Sequence, residues 1–406
     1  MFSKKTRQAV YQIYAPSLIM ALGIGMIVPA VPLLGRTFGV SMGLAAQVVT
    51  AQVLGRAISL IPSGMLLDRT GFRMGMVTGA SIAVLSTVAT AFAPTFWVIL
   101  ISQCCWGVGL TLWRLGRELA AIDLVKVDQR GRQMSALFGI HASGTALGPA
   151  IGGIILDTWG FRSLFLIFAA MAAVVLAISA TVQETHERVD VSRREIFNFA
   201  RLNQVELYFR GTYLVLILAT FGAMLRSEVL NSMLPIYVVD ELGYSATHVG
   251  FIFFVIGAIT FSMIVPAGVI SDKFGRKWAT VPPALLSGIA FAAYPLVTGS
   301  PGLMVLAVML GIANGMALGS MTTYTYDIVP YRTRAQLQAM RRTIGEAGAF
   351  AGPLLGGVIA NLYGAAFSFL FFAPLHLLAA FLLVFVAKES LPRRRGKGNL
   401  KGDGSS

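Results

Sequence analysis

Long apolar runs alternate with short polar segments along the chain, and this pattern predicts twelve membrane-spanning helices. Each run holds about 20 residues or more, which lets an α-helix cross the hydrocarbon core of a bilayer. The pattern therefore predicts an all-α membrane protein whose spans form two groups of six. The predicted spans are 13–35, 44–67, 74–93, 96–124, 133–156 and 162–182, followed by 212–237, 246–270, 278–297, 302–328, 338–362 and 366–387.

The two groups of spans are copies of one unit. The stretch SGMLLDRTGFR, which contains Asp68, returns as PAGVISDKFGRK, which contains Asp272, so the copies are offset by 204 residues. The same offset relates GTALGPAIGG, beginning at Gly144, to GAFAGPLLGG, beginning at Gly348. Because this offset holds over more than 80 residues, it indicates an internal duplication.

The duplication predicts how the chain divides into domains. Two six-helix halves in the same orientation are related by an axis along the membrane normal, an arrangement of secondary transporters that bind substrate between the halves. The predicted segments are an N-terminal six-helix bundle at 1–183, a basic cytoplasmic linker at 184–210, a C-terminal six-helix bundle at 211–390 and a disordered cytoplasmic tail at 391–406.

Composition and charge distribution favour a membrane protein over a nucleic-acid-binding protein. The mean hydropathy of +0.74 and the 12% of charged residues leave too little polar surface for a water-soluble fold. The net charge of +14 is unevenly placed, with 26 of the 32 lysines and arginines on one side of the predicted membrane. This positive-inside bias places both termini in the cytoplasm. We expect a multi-pass protein of the inner (plasma) membrane, monomeric, with the bilayer and a small amphipathic substrate as partners and no nucleic acid.

Two motifs carry a resemblance to a known family. The loop after span 2 reads Gly-x-x-x-Asp-Arg-x-Gly and recurs after span 8 with Lys273 in place of the arginine, while span 5 contains Gly-x-x-x-Gly-Pro-x-x-Gly-Gly. In these motifs the chain resembles the major facilitator superfamily over essentially its whole length, and within it most closely the twelve-helix drug/proton antiporters. The resemblance implies two pseudo-symmetric six-helix bundles that rock about a central site. It also implies that span 4 should carry an arginine where this chain has Gln103.

The loop motif is the predicted gate. Asp68 ends span 2, where its charge opposes the helix dipole, so we expect it to bind either the positive N-terminal end of a neighbouring helix or an arginine such as Arg69 or Arg73. The basic residue expected four positions after Asp68 is Phe72, whereas the second copy is regular at Arg276. The resemblance implies that this cluster latches one conformation; a role in topology and loop order alone is the alternative. The predicted gating residues are Asp68, Arg69, Arg73, Asp123, Asp272, Arg276 and Asp327.

Glycines at i, i+4 and i+8 form a smooth ridge on spans 5 and 11, and each ridge contains a proline. Small residues let membrane helices approach closely, and proline bends a helix by freeing a backbone carbonyl. The predicted hinge and packing residues are Gly144, Gly148, Pro149, Gly152, Gly352 and Pro353.

Charged residues inside spans are the strongest functional candidates, because each costs a few kcal/mol at mid-membrane. We expect Arg114 and Glu118, at i and i+4, to pair directly, and Glu228 to share a polar face with Asn231 but not with Arg226. The predicted substrate-cavity residues are Gln52, Arg56, Gln103, Arg114, Arg117, Arg226 and Asn231. The predicted proton-coupling residues are Glu118, His141, Glu228 and Glu346.

Three functions are compatible with these residues. A carboxylate in a low-dielectric cavity titrates nearer neutrality and a nearby arginine opposes this, which would suit proton-driven export of amphipathic drugs or metabolites. The arginine excess in the spans would instead suit a transporter or flippase of organic anions or anionic lipids. A receptor or scaffold that does not transport is the third possibility, and interhelical ion pairing or, for His141, simple packing is the structural alternative.

No nucleotide-binding or paired-histidine metal motif occurs, so we expect no enzyme, cofactor or metal, and a proton gradient as the energy source.

Overall fold

The computed structural model describes residues 10–123, 130–182, 205–317, 320–330 and 333–390, without the side chains at 122–123, 130–135, 138 and 335. Within these residues there are eleven apolar helices long enough to cross a membrane. The longest, Arg130–Ala180, contains two spans, because Gly160 has a φ of 76° and breaks the helix there. The prediction of twelve spans is therefore confirmed. The predicted tail at 391–406 lies outside the described residues, as does the linker up to residue 204.

The helices are labelled α1 to α12 in chain order. In the N-terminal half, α1 runs as Val10–Tyr14, Ala15–Ile27 and Ala30–Phe38, and the others are α2 Met42–Thr70, α3 Phe72–Ala91, α4 Phe96–Asp123, α5 130–159 and α6 161–180. In the C-terminal half they are α7 Leu207–Ile236 continued by Tyr237–Glu241, α8 Ala246–Lys273, α9 Arg276–Ala293 continued by Tyr294–Leu296, α10 Ser300–Ala317 and Ser320–Ile328, α11 Arg334–Tyr363 and α12 Ala365–Phe385.

Two boundaries differ from the prediction for identifiable reasons. The first span is interrupted next to Pro29, because proline has no N–H to continue the helix ladder. Helix α7 begins at Leu207, inside the segment predicted as linker, since the aromatic turn that precedes residue 212 joins the helix.

The two halves are in close contact at one end of the molecule. We call the end that carries the turns at 39–41, 242–245 and 364 distal, and the end that carries residues 10 and 390 proximal. One continuous hydrophobic cluster joins Val49 and Val53 of α2 to Val229 of α7 and Ile252 of α8. Burial of apolar side chains therefore holds the halves together on the distal side.

The glycine ridges pack inside each half. A Cβ on Gly148 would lie 2.4 Å from the carbonyl oxygen of Leu22 in α1, and a Cβ on Gly348 would lie 2.4 Å from that of Phe221 in α7. No side chain fits at either distance. The ridges thus let α5 approach α1, and α11 approach α7, backbone to backbone. The hinge role of the prolines stays a prediction.

Candidate functional site

A cavity of about 180 Å³ lies between α5 of the N-terminal half and helices α7, α8 and α10 of the C-terminal half. Among the described residues its wall is uncharged and combines five polar with seven apolar residues, which differs from the arginine-lined cavity predicted. Of the predicted cavity residues, Asn231 lines it. The polar and aromatic lining side chains are Thr145, Ser227, Asn231, Thr260 and Asn314, with Phe253 and Phe261.

An ion pair between the halves lies beside this cavity. The guanidinium of Arg56, on α2, donates to Oε1 of Glu228, on α7, at 2.5 Å. The other oxygen of Glu228 accepts a hydrogen bond of 3.1 Å from Nδ2 of Asn231. Asn231 thus shares a polar face with Glu228, as its spacing suggested. One carboxylate therefore touches both the opposite half and the cavity wall.

Arg226 lies behind the cavity rather than in it. Its side chain is buried and donates to the hydroxyl of Ser287 and, at 2.5 Å, to Oδ1 of the cavity residue Asn314. Among the described residues its Nε atom has no partner. The prediction that Arg226 lines the cavity is wrong in this conformation, because Asn314 stands between the guanidinium and the open space.

Gln103 is also misplaced by the sequence prediction. It is fully buried, accepts from Nε2 of Gln52 at 2.7 Å, and donates to the hydroxyl of Thr90 at 2.9 Å. These bonds tie α4 to α2 and α3 within the N-terminal half. Gln103 therefore has no exposed surface for a substrate to contact, and the NH₂ group of Gln52 is bound to Gln103.

The charges of α4 pair differently from the prediction. Glu118 lies 3.7 Å from Nη2 of Arg117, and no Arg114–Glu118 ion pair within 4 Å occurs among the described residues. Arg117 is only 1% exposed and its guanidinium lies 5.0 Å from the ring centre of Trp113. The buried cation therefore pairs with the nearby carboxylate, while the partly buried Arg114 has no ion pair within 4 Å in the described part of the chain.

Three further titratable residues interact electrostatically with the arginines of α2 and α4. Glu346 of α11 is close enough to interact electrostatically with both Arg56 and Arg114. Arg342 also acts on Arg114 and was missed from the sequence, although its i, i+4 spacing to Glu346 could have indicated it. His141 lies near Arg114 and Arg117, which add positive charge around its ring.

Polar contacts close the distal end and were not predicted. The carboxylate of Asp157, at the end of α5, accepts from the N–H groups of Ala246 and Thr247 at 3.1 and 2.7 Å, at the start of α8. Oδ1 of Asn361, at the end of α11, accepts from the N–H of Gly43 at 2.7 Å, at the start of α2. These caps are related by the 204-residue offset of the repeat. Arg36 adds a 2.6 Å ion pair to Asp240.

The two copies of the loop motif differ at the proximal end. In the second copy Arg276 binds Asp272 at 2.6 Å and Asp327 at 2.9 Å. In the first copy Phe72 replaces this arginine and is buried, and Asp68 has no ion pair within 4 Å among the described residues.

The expected binding of Asp68 by Arg69 or Arg73 is not observed. Arg69 is exposed, and Arg73 donates instead to the carbonyl of Ala180 at 2.7 Å, as Lys277 does to the carbonyl of Val384 at 2.5 Å in the second copy. The side chain of Asp123, the remaining predicted gating residue, lies outside the described part of the chain.

Comparisons with known proteins agree with this architecture. The family model of the Major Facilitator Superfamily matches residues 16–216 and 216–404. The chain is 24% identical to the Multi-drug resistance efflux pump PmrA homolog of Lactococcus lactis, over 83% of this chain and 84% of that protein. It is also 24% identical to the Tetracycline resistance protein, class B, of Escherichia coli, over 85% and 86% of the two chains.

Solved structures share the fold at low sequence identity. A D-xylose-proton symporter superposes with a TM-score of 0.74 at 18% identity, covering 95% of this chain and 98% of its own. A bacterial homolog of the human lysosomal transporter Spinster, in an inward-facing and unoccupied conformation, superposes with a TM-score of 0.76 at 16% identity, covering 94% and 97%. The chain therefore belongs to the major facilitator superfamily and is a multi-pass membrane transporter rather than an enzyme.

Proposed function

We propose that the protein is a proton-coupled antiporter that exports amphipathic drugs or metabolites by alternating access. The observation that carries the proposal is the position of Glu228, whose carboxylate binds Arg56 of the opposite half and the cavity residue Asn231. The multidrug and tetracycline resistance functions named for the relatives support the same substrate class.

Protonation of Glu228 would change both of its contacts at once. A neutral carboxyl group loses most of its attraction to the Arg56 guanidinium, which weakens a bond between the halves. It also offers Asn231 one acceptor oxygen fewer, which alters the cavity wall. Proton uptake, substrate release and movement of the halves are thereby linked through one side chain.

Alternating access is supported by the unequal ends of the molecule. The distal end is closed by the Asp157 and Asn361 caps, whereas a Cβ on Gly64 or Gly268 of the loop motif would have no atom within 4 Å. Small residues that pack against nothing in this conformation suit a second one in which the proximal ends meet. If the termini lie in the cytoplasm of a plasma membrane, as we propose, the open proximal end corresponds to an inward-open state.

Transport driven by a pH gradient tests the proposal. The purified protein is reconstituted in liposomes with an acidic lumen, and uptake of tetracycline is measured. We expect Glu228→Gln to abolish gradient-driven uptake while binding persists, and Glu118→Gln, the matched carboxylate outside this junction, to retain it. Full gradient-driven uptake in Glu228→Gln would refute the assignment of the proton to Glu228.

A second candidate function is transport of organic anions or anionic lipids. It is favoured by Arg114, a largely buried arginine with no ion pair within 4 Å among the described residues, which Glu118 and Glu346 offset only from a distance. Binding of lysophosphatidylglycerol without proton release, lost in Arg114→Ala, would support this function. Proton release on adding lipophilic cations, lost in Glu228→Gln, would instead support antiport of drugs.

A further inference from the structure

Two asparagines line the cavity between α5 and helices α7, α8 and α10, and each is bound from behind by a charged side chain. Asn231 of α7 contacts Glu228, and Asn314 of α10 contacts Arg226. A carboxamide has an acceptor end and a donor end, so the group behind it decides which end faces the cavity.

The partner of Asn314 fixes its amide in one orientation. The guanidinium of Arg226 has only donors, so the atom of Asn314 that meets it at 2.5 Å must be the carbonyl oxygen. If the amide turned over, its NH₂ group would face the buried guanidinium, and two donors would meet without an acceptor. This makes the orientation costly to reverse. The NH₂ group of Asn314 is left for the cavity.

The partner of Asn231 fixes the opposite orientation. A carboxylate paired with Arg56 has only acceptors, so Glu228 binds the NH₂ group of Asn231, at 3.1 Å. The carbonyl oxygen of Asn231 is left for the cavity.

Two of the three hydroxyls on the cavity wall cannot duplicate the donor, although they can still accept, whereas that of Ser227, which is exposed, can do both. Those of Thr145 and Thr260 donate to main-chain carbonyls, at 3.1 and 3.2 Å, and so have no proton left to donate to a substrate.

We infer that Asn314 and Asn231 determine substrate specificity as a fixed donor and a fixed acceptor, selecting uncharged aromatic amphipaths that carry a hydrogen-bond acceptor and a donor. Primary and secondary carboxamides are the simplest compounds of this class. Phe253 and Phe261, on the same wall, would pack on the aromatic body. Arg226 and Glu228 act as positioning residues. The substrate contacts the neutral amides of Asn314 and Asn231 rather than the two charged side chains behind them. This inference rests on the proposed function, because it names the substrate class of the same cavity.

Three probes with one ring system test the inference. They are 2-naphthamide, which donates and accepts, N,N-dimethyl-2-naphthamide, which only accepts, and 2-ethylnaphthalene, which does neither. Their binding to the purified full-length protein is measured by calorimetry. We expect affinity to fall in this order, by about five- to tenfold for each hydrogen bond lost.

Variants separate the two asparagines. In Asn314→Leu the advantage of the dimethylamide over 2-ethylnaphthalene should disappear, and in Asn231→Leu the advantage of the primary amide over the dimethylamide. Asn314→Asp keeps an acceptor for Arg226 and therefore the fold, but it replaces the donor, so the dimethylamide should bind no better than 2-ethylnaphthalene. Ser262→Ala, on the same helix but outside the cavity wall, should leave the order unchanged.

The outcomes distinguish this inference from the function on which it rests. Retained binding of 2-ethylnaphthalene in each variant shows an intact cavity, so a change in order cannot come from misfolding. If the wild-type protein transports amphipathic drugs but binds the three probes equally, the inference is wrong and the function stands. If the protein binds none of the probes and transports no amphipath, both are wrong.

Discussion

The duplication gives the chain two copies of the loop motif, and the aspartate of each copy has different neighbours. Asp272 is held within its own half by Arg276, which also binds Asp327. At the equivalent position of the first half, Phe72 is buried in the hydrophobic core and Asp68 is exposed. Because Asp68 has no ion pair within 4 Å among the described residues, its carboxylate is available to bind a basic residue of the opposite half when the proximal ends meet. We therefore expect Asp68 rather than Asp272 to act as the gating acid.

This difference predicts unequal effects of the same substitution. Asp68→Asn should lower the transport rate at least tenfold with little change in melting temperature, because Asp68 has no ion pair within 4 Å among the described residues. Asp272→Asn should lower stability by about 1 kcal/mol or less, as for an exposed ion pair, and leave most transport intact. Flux in proteoliposomes and thermal unfolding measure the two effects. Equal transport in both variants would leave the motif with a role in topology alone.

Single polar residues were the hardest feature to predict. Spacing places Gln103 on a polar stripe of α4, but it cannot say whether that stripe faces a cavity or another helix's amide. The structure supplies the amide, from Gln52. Arg226 was misplaced for the same reason, since Asn314 meets it from a helix far along the chain. By contrast, the contact between Glu228 and Asn231 lies within one helix, where periodicity is informative.

At the scale of the helix, close backbone packing depends on glycines that no other residue can replace. A methyl group on Gly148 would lie 2.4 Å from the Leu22 carbonyl oxygen, so α5 would have to move away from α1. We expect Gly148→Ala to destabilise the protein by about 1–3 kcal/mol, the usual cost of overpacking. Gly139→Ala is the control on the same helix, since nothing lies within 4 Å of its Cβ position. Thermal unfolding in detergent compares them, and equal melting temperatures would contradict the packing role of the ridge.

Whole helices were predictable because about 20 apolar residues in a row have few alternatives to a span. Their ends were less predictable, and the distal caps were missed at such ends. Asp157 lies one residue beyond the predicted span 133–156, so it was assigned to a loop. The 204-residue offset pairs it with Asn361 and pairs Thr247 with Gly43. Applying the repeat to polar residues at span ends would have indicated both caps.

At the scale of the whole molecule, the distal caps join helices of opposite halves and must break when that end opens. A carboxylate on a helix N-terminus stabilises it by about 0.5–2 kcal/mol through hydrogen bonds and the helix dipole. Asp157 provides this to α8 only while the halves are together. The cap energy therefore belongs to the distally closed state and sets part of the balance between conformations.

Removing this cap should shift the conformational balance without unfolding either half. We expect Asp157→Ala to raise the ratio of distally open to closed molecules by about fivefold, the equivalent of about 1 kcal/mol. Spin labels on the distal ends of α5 and α8 report this ratio by pulsed electron–electron distance measurement. Glu241→Ala is the matched control, because Glu241 caps the N–H groups of Ala365 and Ala366 within its own half. That variant loses a comparable cap, yet its distance distribution should remain that of the wild type. If both variants open alike, loss of helix stability rather than of the inter-half bond controls the distal gate.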